Sequence, residues 1–157
     1  MMSDQIRHGL RQVLRQVRCR VKRKRMAQTT FVGITGSCGK TTTTHFLGKI
    51  LSDAESCFVG IHENGENSVM RNMRDAHCAD RFFVQELTGH EPGCLQKVLP
   101  LLRPDIGIVT TIGQDHYRSF RTLEATAEEK GTLIEGLPKS GVAVLNADDP
   151  HVLAMTE

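Results

Sequence analysis

From position 29 onward, short apolar runs alternate with stretches in which apolar side chains recur at helical spacing. The runs are typical of buried strands, and the stretches are typical of amphipathic helices. Strands are predicted at Phe31–Ile34, Ser56–Ile61, Arg81–Leu87, Asp105–Thr110 and Val142–Leu145, and helices after Lys40 and at Ser68–His77, Pro92–Leu102 and Thr122–Leu137, with a polar loop at His62–Asn67. This alternation predicts a three-layer α/β domain with a mostly parallel sheet, in which ligands bind at the carboxyl ends of the strands.

The first 28 residues follow a different pattern. Apolar residues recur at helical spacing beside a stripe of cations, namely Ile6, Leu10, Val13, Leu14, Val17 and Val21 beside Arg7, Arg11, Arg15, Arg18, Lys22 and Arg25. A basic amphipathic helix is therefore predicted in residues 1–28, ahead of a domain at 29–157. Its apolar stripe either packs on that domain with the basic face in solvent, or residues 1–25 attach to an anionic membrane or an acidic partner. An organellar targeting peptide is a third alternative.

The charge distribution supports a boundary near Gln28. Residues 1–28 contain nine Lys or Arg and one acid, Asp4, whereas the rest of the chain contains 11 basic and 17 acidic residues. The basic segment has no aromatic residue to stack on bases, so no nucleic-acid partner is expected. No run of 18 apolar residues and no secretory signal is found. Five scattered cysteines favour reduced thiols and a cytoplasmic location, with peripheral attachment at the inner membrane face as a further option.

The first predicted strand runs into a glycine-rich turn, Gly33 to Gly39, which is followed by Lys40 and four threonines. This order of strand, glycine loop, Lys-Thr and helix is typical of a P-loop NTPase-like domain. Backbone N–H groups and the positive end of the helix dipole attract phosphate oxygens there. Lys40 is predicted to reach the terminal phosphates, and the hydroxyl of Thr41 or Thr42 is predicted to ligate Mg²⁺.

The spacing of the loop glycines departs from the common phosphate loop. Glycines fall at 33, 36 and 39, and Ile34 stands where the common pattern has its first glycine. The alternative interpretation is a glycine-rich turn with a chance Lys-Thr pair. Cys38, inside the loop, is either a redox-sensitive thiol or simply a small loop residue.

Polar residues at two later strand ends carry suitable chemistry. Glu86 ends an apolar strand, and a carboxylate there could hold Mg²⁺ against phosphates; the alternative is an ordinary polar strand-end residue. Asp115 and His116 follow the Asp105–Thr110 strand after a short loop. Lys130, considered by itself, is only one charge on a predicted exposed helix face, Glu128-Glu129-Lys130.

Five segments taken together resemble the ATP-binding central domain of the Mur ligase family, over about residues 29–150. They are GITGSCGKTTTT (33–44), ELTGHEPGCL (86–95), LRPDIGIVTTIGQDH (102–116), TLEATAEEKG (122–131) and GVAVLNADDP (141–150). The first segment shares the unusual glycine spacing of that family's phosphate loop. The Asn-Ala-Asp-Asp turn is most similar to that of the muramyl-peptide ligases.

The resemblance implies a role for each matching residue. Lys40 and the loop residues Gly36, Ser37, Cys38, Gly39, Thr41 and Thr42, with Asn146, would bind ATP. Thr41 and Glu86 would hold one Mg²⁺, and His116 a second metal ion. Lys130 matches a lysine that many members carry as a carbamate ligating that second metal. Lys40, His116 and Lys130 are therefore the expected catalytic residues.

The resemblance also implies the reaction. A substrate carboxylate attacks the γ-phosphate of ATP to give an acyl phosphate and ADP, and the amine of an amino acid then displaces phosphate to form an amide. Positioning and charge neutralisation by Lys40 and the metals would supply the catalysis. A cell-wall precursor or a related carboxylate is the expected substrate, and an amino acid is the second partner.

The chain departs from the family at both ends. A basic helix stands where members usually have a nucleotide-sugar-binding domain, and the segments that would contact adenine and the incoming amino acid are absent from residues 1–157. A fragment of a longer ligase, a chain that needs a partner, or a degenerate remnant of a ligase is therefore expected. The alternative function is a catalytically incomplete ATP-binding module that scaffolds or regulates a partner. A P-loop phosphotransferase of another kind is disfavoured by the glycine spacing and by the His116–Lys130 pair.

Overall fold

A parallel sheet of five strands forms the centre of the computed structural model, which describes residues 2–61, 65–114 and 119–156. The elements are α1 (Met2–Arg25), β1 (Thr30–Thr35), α2 (Lys40–Ala54), β2 (Cys57–Gly60), α3 (Glu66–Asp75), β3 (Phe82–Glu86), α4 (Cys94–Leu102), β4 (Ile106–Val109), α5 (Leu123–Glu135), β5 (Val142–Leu145) and α6 (Pro150–Leu153), followed by a short 3-10 helix (Ala154–Thr156). Every predicted strand and helix is present, with ends within two residues of the predicted bounds except for α1, which ends at Arg25 although the helix was predicted in residues 1–28. The short helix α6 was not predicted.

The sheet has the strand order β2-β3-β1-β4-β5, and every pairing is parallel. The chain moves one way across the sheet from β1 to β2 and the opposite way in each later crossover. Because such crossovers are right-handed, α2 lies on one face and α3, α4 and α5 lie on the other. The packing agrees, since α2 contacts β1, β2 and β3 while α4 contacts both α3 and α5. The predicted three-layer α/β fold is confirmed.

Alternating side chains of β1 and β3 build a core on each face of the sheet. Phe31 and Phe83 stack with ring centroids 5.0 Å apart, among apolar residues of α3, α4 and α5. On the other face Leu47 and Leu51 of α2 pack against the sheet. Phe46 and Ile50 follow the same helical spacing in the sequence as Leu47 and Leu51, but they do not belong to the core, because their exposed fractions are 64% and 66%.

Helix α1 forms as predicted, but the side that packs on the domain is not the apolar side. Its buried residue Cys19, and Met26 directly after its end, join the core beneath α3 and α4. The predicted apolar stripe is instead exposed, with exposed fractions of 46–65% for Ile6, Leu10, Val13, Leu14, Val17 and Val21. The expectation that this stripe packs on the following domain is therefore wrong.

Cationic side chains account for the orientation of α1. The guanidinium of Arg23 lies 3.8 Å from the ring centroid of Phe31, a distance typical of a cation–π contact. The same group donates hydrogen bonds to the carbonyl oxygens of Leu102 (Nε to O, 2.8 Å) and Arg103 (Nη2 to O, 2.8 Å). Burial lowers the pKa of Arg23, and the neighbouring Asp105 carboxylate opposes that change. The docked face of α1 is thus held by polar groups that sequence periodicity does not reveal.

No helix in the described ranges combines the length and the apolar character needed to cross a bilayer. The five cysteines are free thiols. Burial raises the pKa of the Cys19 thiol to about 11, with Arg20 and Lys22 opposing that effect, so this thiol stays protonated near neutral pH. The division of the chain near Gln28 remains a prediction, although the last turns of α1 pack into the same core as β1.

Candidate nucleotide site

The loop between β1 and α2 has the backbone shape that its glycines predict. Gly36 and Gly39 have φ values of 143° and 83°, a region that side chains with a Cβ rarely adopt. A Cβ at Gly36 would also lie only 1.9 Å from the hydroxyl oxygen of Thr110. Gly33, by contrast, lies inside β1, where a Cβ would come within 3.1 Å of the Leu87 and Leu133 side chains. Two of the three glycines therefore shape the loop, and the third allows close packing beneath it.

Hydrogen bonds tie this loop to residues 110–113, which follow β4. The backbone N–H of Ser37 donates to the carbonyl oxygen of Thr111 over 2.7 Å, and the Thr110 hydroxyl donates to the carbonyl oxygen of Cys38 over 2.6 Å. The N–H of Gly113 donates to the hydroxyl oxygen of Ser37 over 2.9 Å. The loop conformation is thus set by a neighbouring strand end as well as by its glycines.

The start of α2 is open to an anion. Gly39 occupies the N-cap position without a side-chain cap, and the first turn contains no acidic residue. The first N–H groups of a helix lack intrahelical partners, so this end offers donors together with the positive end of the dipole. Lys40 lies in that turn, and its ammonium group donates to the carbonyl oxygens of Gly36 (2.6 Å) and Ser37 (3.3 Å). Loop, lysine and helix end therefore form one positively polarised surface.

Two of the predicted metal ligands meet at this surface. The hydroxyl oxygen of Thr41 lies 3.1 and 3.0 Å from the two carboxylate oxygens of Glu86, which is only 3% exposed. A hydroxyl and a carboxylate are hard oxygen donors of the kind that Mg²⁺ prefers, with phosphate oxygens and water completing its coordination. Among the described residues no three His, Cys, Asp or Glu side chains form a metal-binding group. The oxygen donors of Thr41 and Glu86 fit Mg²⁺ that has phosphate oxygens as further ligands.

Asn146 lies at the same end of the sheet. It lines a cavity of about 460 Å³ together with Cys38, Gly39, Thr43 and Thr110, and Val144 of the edge strand β5 forms part of the wall. Thr42 is exposed in the first turn of α2. The predicted nucleotide-binding residues are thus brought together around the loop, with Thr41 facing Glu86 on the β3 side and Asn146 on the β5 side.

Lys130 is buried, with an exposed fraction of 1%, and its neighbour Glu129 is 6% exposed. The expectation of an exposed face at 128–130 is therefore wrong for both, and only Glu128 is exposed. Glu129 accepts hydrogen bonds from the backbone N–H groups of Gly93 (2.6 Å) and Leu95 (2.8 Å) at the start of α4. The Lys130 helix is thereby attached to the segment that follows Glu86.

The predicted metal ligand His116 and its neighbour Asp115 lie outside the described residues, as does part of the predicted loop at 62–67. Their predicted roles stay predictions. The same holds for the carbamate at Lys130.

Several residues that shape the site escaped sequence reasoning. Asp149 joins α6 to the loop after β4, because its carboxylate accepts from the N–H groups of Ile112 (2.7 Å), His151 (3.0 Å) and Val152 (3.2 Å). Burial would raise the pKa of Asp149, but these three hydrogen bonds outweigh it and the pKa is lowered. The sequence signal was an Asp immediately before a Pro, which is typical of a helix start. Thr110 and Thr111 gave no such signal, since their partners in the loop are distant in the chain.

Comparisons with known proteins agree with this geometry. Residues 34–157 match the family model of the Mur ligase middle domain. The chain is 32% identical over 135 residues to a UDP-N-acetylmuramoyl-tripeptide–D-alanyl-D-alanine ligase of Mycobacterium leprae, covering 82% of this chain and 25% of that protein. It is 35% identical over 125 residues to a UDP-N-acetylmuramoylalanine–D-glutamate ligase of Parasynechococcus marenigrum, covering 78% and 26%.

Solved structures show the same fold. MurF from Acinetobacter baumannii superposes with a TM-score of 0.86 at 22% identity, covering 92% of this chain and 32% of that one. MurF from Thermotoga maritima, solved in complex with ADP, superposes with a TM-score of 0.77 at 26% identity, covering 87% and 33%. The chain spans about a quarter of the length of the curated relatives it matches. Because the family model covers most of its residues, the chain belongs to the Mur ligase middle domain family.

Proposed function

We propose that this chain binds ATP with Mg²⁺ at the loop between β1 and α2, and that the protein carrying it is an ATP-dependent ligase forming amide bonds. One observation carries the proposal: at the uncapped start of α2, Lys40 stands beside Thr41, whose hydroxyl meets the buried Glu86 carboxylate. Phosphates need cations and N–H donors, and Mg²⁺ needs hard oxygens, so this set serves both.

Each residue of the set has a distinct task in the proposal. The first turn of α2, with Thr41 and Thr42, offers N–H groups to the phosphate oxygens, and Lys40 balances the charge of the terminal phosphates. Thr41 and Glu86 hold Mg²⁺, which supplies charge neutralisation at the transferring phosphoryl group. The bonds from Thr110 and Thr111 to Cys38 keep the loop in shape, so little reorganisation is needed when phosphate binds.

The proposed reaction has two steps. A carboxylate oxygen forms a bond to the γ-phosphorus while the bond from that phosphorus to the bridging oxygen breaks, and ADP leaves. An amine nitrogen then attacks the acyl carbon, the bond from that carbon to the phosphate oxygen breaks, and inorganic phosphate and a proton are released. His116 and Lys130 belong to this proposal through the family motif, as ligands of a second metal ion.

The proposed carboxylate is a cell-wall precursor, and the proposed amine is that of an amino acid or a short peptide. Support comes from the names of two relatives, which are a muramoyl-tripeptide ligase and a muramoylalanine ligase. The two names differ in the amine that is added, D-alanyl-D-alanine in one and D-glutamate in the other. The proposal therefore names the class of substrate and no single amine. A cytoplasmic location accompanies it as an expectation.

A second candidate is an ATP-binding module that regulates or scaffolds a partner without forming a bond. The outward apolar stripe of α1 favours it, because this surface is available to another molecule. Binding of ATP is common to both candidates, and only amide formation separates them.

Substitution of Lys40 tests the nucleotide site. Lys40→Ala is expected to weaken Mg-ATP binding about tenfold or more, because hydrogen bonds to charged groups contribute about 1.5–3 kcal/mol each. Isothermal titration calorimetry of the 157-residue chain with ATP and Mg²⁺ measures this change. Lys49→Ala is the matched control, since Lys49 lies on the same helix, is 68% exposed and pairs only with Asp53 among the contacts described. Equal ATP affinity in both variants would overturn the assignment of the loop.

A further inference from the structure

Helix α1 is attached to the rest of the molecule by one side. The docked positions follow a repeat of three and four residues, as expected for one helix face: Gln12, Gln16, Cys19, Arg23 and Met26. The amides of Gln12 and Gln16 both donate to the Glu66 carboxylate, at 3.1 and 2.6 Å, and Lys22 donates to the carbonyl oxygen of Arg74 at 2.6 Å. The side of α1 that faces α3 and α4 is therefore largely polar.

The opposite side of α1 is an apolar surface in contact with solvent, here named the outer stripe. It consists of Ile6 (65% exposed), Leu10 (60%), Val13 (53%), Leu14 (47%), Val17 (48%) and Val21 (46%). At 1.5 Å per residue the stripe is about 22 Å long. Isolated exposed apolar residues are normal, but six in one line form a patch of the kind that marks an interaction site.

Cations border the outer stripe on both sides. At 100° per residue, Arg7, Arg18 and Arg25 lie along one edge and Arg20 lies on the other, while Lys24 lies in line with the stripe beyond its last residue, and all five are exposed. The helix adds no acidic residue after Asp4. A long apolar line bordered by arginine and lysine is complementary to a surface that is apolar inside and anionic at its boundary.

The fold extends this cationic border beyond α1. A groove of about 560 Å³ between α1 and α3 is lined by Arg15, Arg18, Lys22, Arg71 and Arg74, with Met70 and Met73 also in its lining. Arg71 and Arg74 come from α3, about fifty residues later in the chain. Of the acids nearby, Asp75 pairs with Arg74 and Glu66 accepts from the two glutamines, so the groove remains strongly basic.

We propose that the outer stripe of α1 lies on an anionic lipid surface, with its aliphatic side chains among the acyl chains and its arginines at the phosphate headgroups. The helix lies in the plane of the interface, since no described helix is long and apolar enough to cross a bilayer. Arginine side chains extend toward the headgroups while their methylene groups cover apolar surface. This attachment is independent of the proposed ligase chemistry.

The charge and the side-chain types of the outer stripe favour an anionic bilayer over two other partners, a second copy of this chain and an acidic helix of another protein. A second copy placed stripe to stripe would bring the same rows of cations together, and like charges across an interface are unfavourable. An acidic helix of another protein would satisfy the cations, but it would meet only aliphatic side chains, whereas protein interfaces are enriched in aromatic anchors. An anionic bilayer satisfies both the uniform aliphatic stripe and the cations on its two edges.

Vesicle sedimentation tests the proposal. The 157-residue chain is mixed with vesicles of phosphatidylglycerol and phosphatidylcholine, or with vesicles of phosphatidylcholine alone, at low and at high salt. Binding is expected to the anionic vesicles only, and to fall as salt rises, because the cationic contribution is screened.

Paired variants isolate the stripe and the cations. Leu10→Ser with Val17→Ser removes apolar surface at exposed positions and is expected to weaken vesicle binding about tenfold or more. Gln5→Ser with His8→Ser, on other exposed positions of α1, is the matched control and is expected to bind as wild type. Arg7→Gln with Arg11→Gln is expected to weaken binding, whereas Arg121→Gln with Lys139→Gln, which removes the same charge from distant exposed sites, is not.

Three results would overturn the proposal. The first is no binding to anionic vesicles. The second is binding that the Leu10 and Val17 substitutions leave unchanged. The third is a wild-type dimer in light scattering that these substitutions convert to a monomer, which assigns the stripe to a second copy. Circular dichroism of each variant confirms that α1 remains helical, and unchanged Mg-ATP affinity shows that the nucleotide loop is intact.

Discussion

At the scale of single residues, the nucleotide loop shows how one residue type serves different purposes. Gly36 and Gly39 permit positive φ values that turn the chain from β1 into α2. Gly33 permits close contact with Leu87 and Leu133 below the loop. The spacing 33, 36, 39 therefore combines the requirements of a turn with those of a packed sheet. Ile34, which stands where the common loop has a glycine, is a fully buried residue of β1.

Glu129 shows how a charged residue can be buried for a structural reason. Its two carboxylate oxygens accept from the N–H groups of Gly93 and Leu95, where a helix start attracts negative charge. Gly89 allows the approach, because a Cβ there would lie 2.7 Å from Cγ of Glu129. Sequence reasoning placed Glu129 in solvent since charged residues are seldom buried without partners, and its partners are backbone groups from another element.

Replacing Glu129 is expected to destabilise the fold. Glu129→Ala leaves two backbone donors at the start of α4 without their acceptor and should lower the free energy of unfolding by about 2 kcal/mol or more. Urea denaturation followed by circular dichroism measures the change. Glu128→Ala, at the adjacent exposed position, should have little effect. Equal stability of the two variants would contradict the structural role.

At the scale of elements, α1 shows the limit of amphipathic patterning. The periodicity of its apolar residues correctly predicted a helix, but it did not tell which side docks on the domain. Arg23 decides this, because its guanidinium contacts Phe31 and two carbonyl oxygens of the domain, and these contacts favour docking of the polar side of the helix. The apolar side is then left to face outward.

Asp149 connects two further elements that sequence reasoning treated separately. It caps α6 and at the same time holds the N–H of Ile112 in the loop after β4. That loop in turn contacts Ser37 and Cys38. The Asn-Ala-Asp-Asp turn therefore supports the nucleotide loop through an intermediate segment.

Asp149 is expected to give the fold a component of acid-sensitive stability. Its pKa is lowered in the folded state below the usual 3.8, so the charged form stabilises the fold. This stabilisation is fully present above the unfolded pKa and is lost as the pH falls through the folded one. Asp149→Asn should cost about 1 kcal/mol at neutral pH, since an amide NH₂ cannot accept from Ile112, and the difference from wild type should shrink in acid.

Urea denaturation at neutral pH and below pH 3.8 measures the effect of that substitution. Asp148→Asn, at the neighbouring exposed position, is the control and should lose less stability. A difference between wild type and Asp149→Asn that stays constant with pH would rule out the charged contact with Ile112.

At the scale of the whole molecule, strand order assembles the site. Because β1 lies between β3 and β4, the loop after β1 is flanked by Glu86 at the end of β3 and by Thr110 after β4. These groups are separated by dozens of residues in the chain but meet at one edge of the sheet. The crossover after β1 moves across the sheet in one direction, and the crossover after β3 moves in the opposite direction. The crevice lies where these directions change, as expected for an open α/β sheet.

Lys130 allows a test of the activity of the intact protein. Lys130→Ala is expected to abolish ADP release that depends on the amino acid, and high bicarbonate should not restore it, because the side chain that would carry the carbamate is gone. Retained Mg-ATP affinity shows that the fold and the loop survive the substitution. Lys139→Ala, on the exposed segment after α5, is the control. Full activity of Lys130→Ala would contradict the proposed role of Lys130, whereas a wild-type protein that shows no such ADP release would favour the regulatory module over the ligase.

The sequence by itself determined the elements, their alternation, the glycine loop with Lys40 and Thr41, and the family, because these depend on local periodicity and on short motifs. Only the tertiary structure decided the facing of α1, the burial of Glu129 and Lys130, and the contacts of Thr110 and Asp149. Each of these depends on partners that are distant in the chain. The local sequence pattern specifies whether a segment forms a helix or a strand, whereas tertiary packing decides which side of that element is buried.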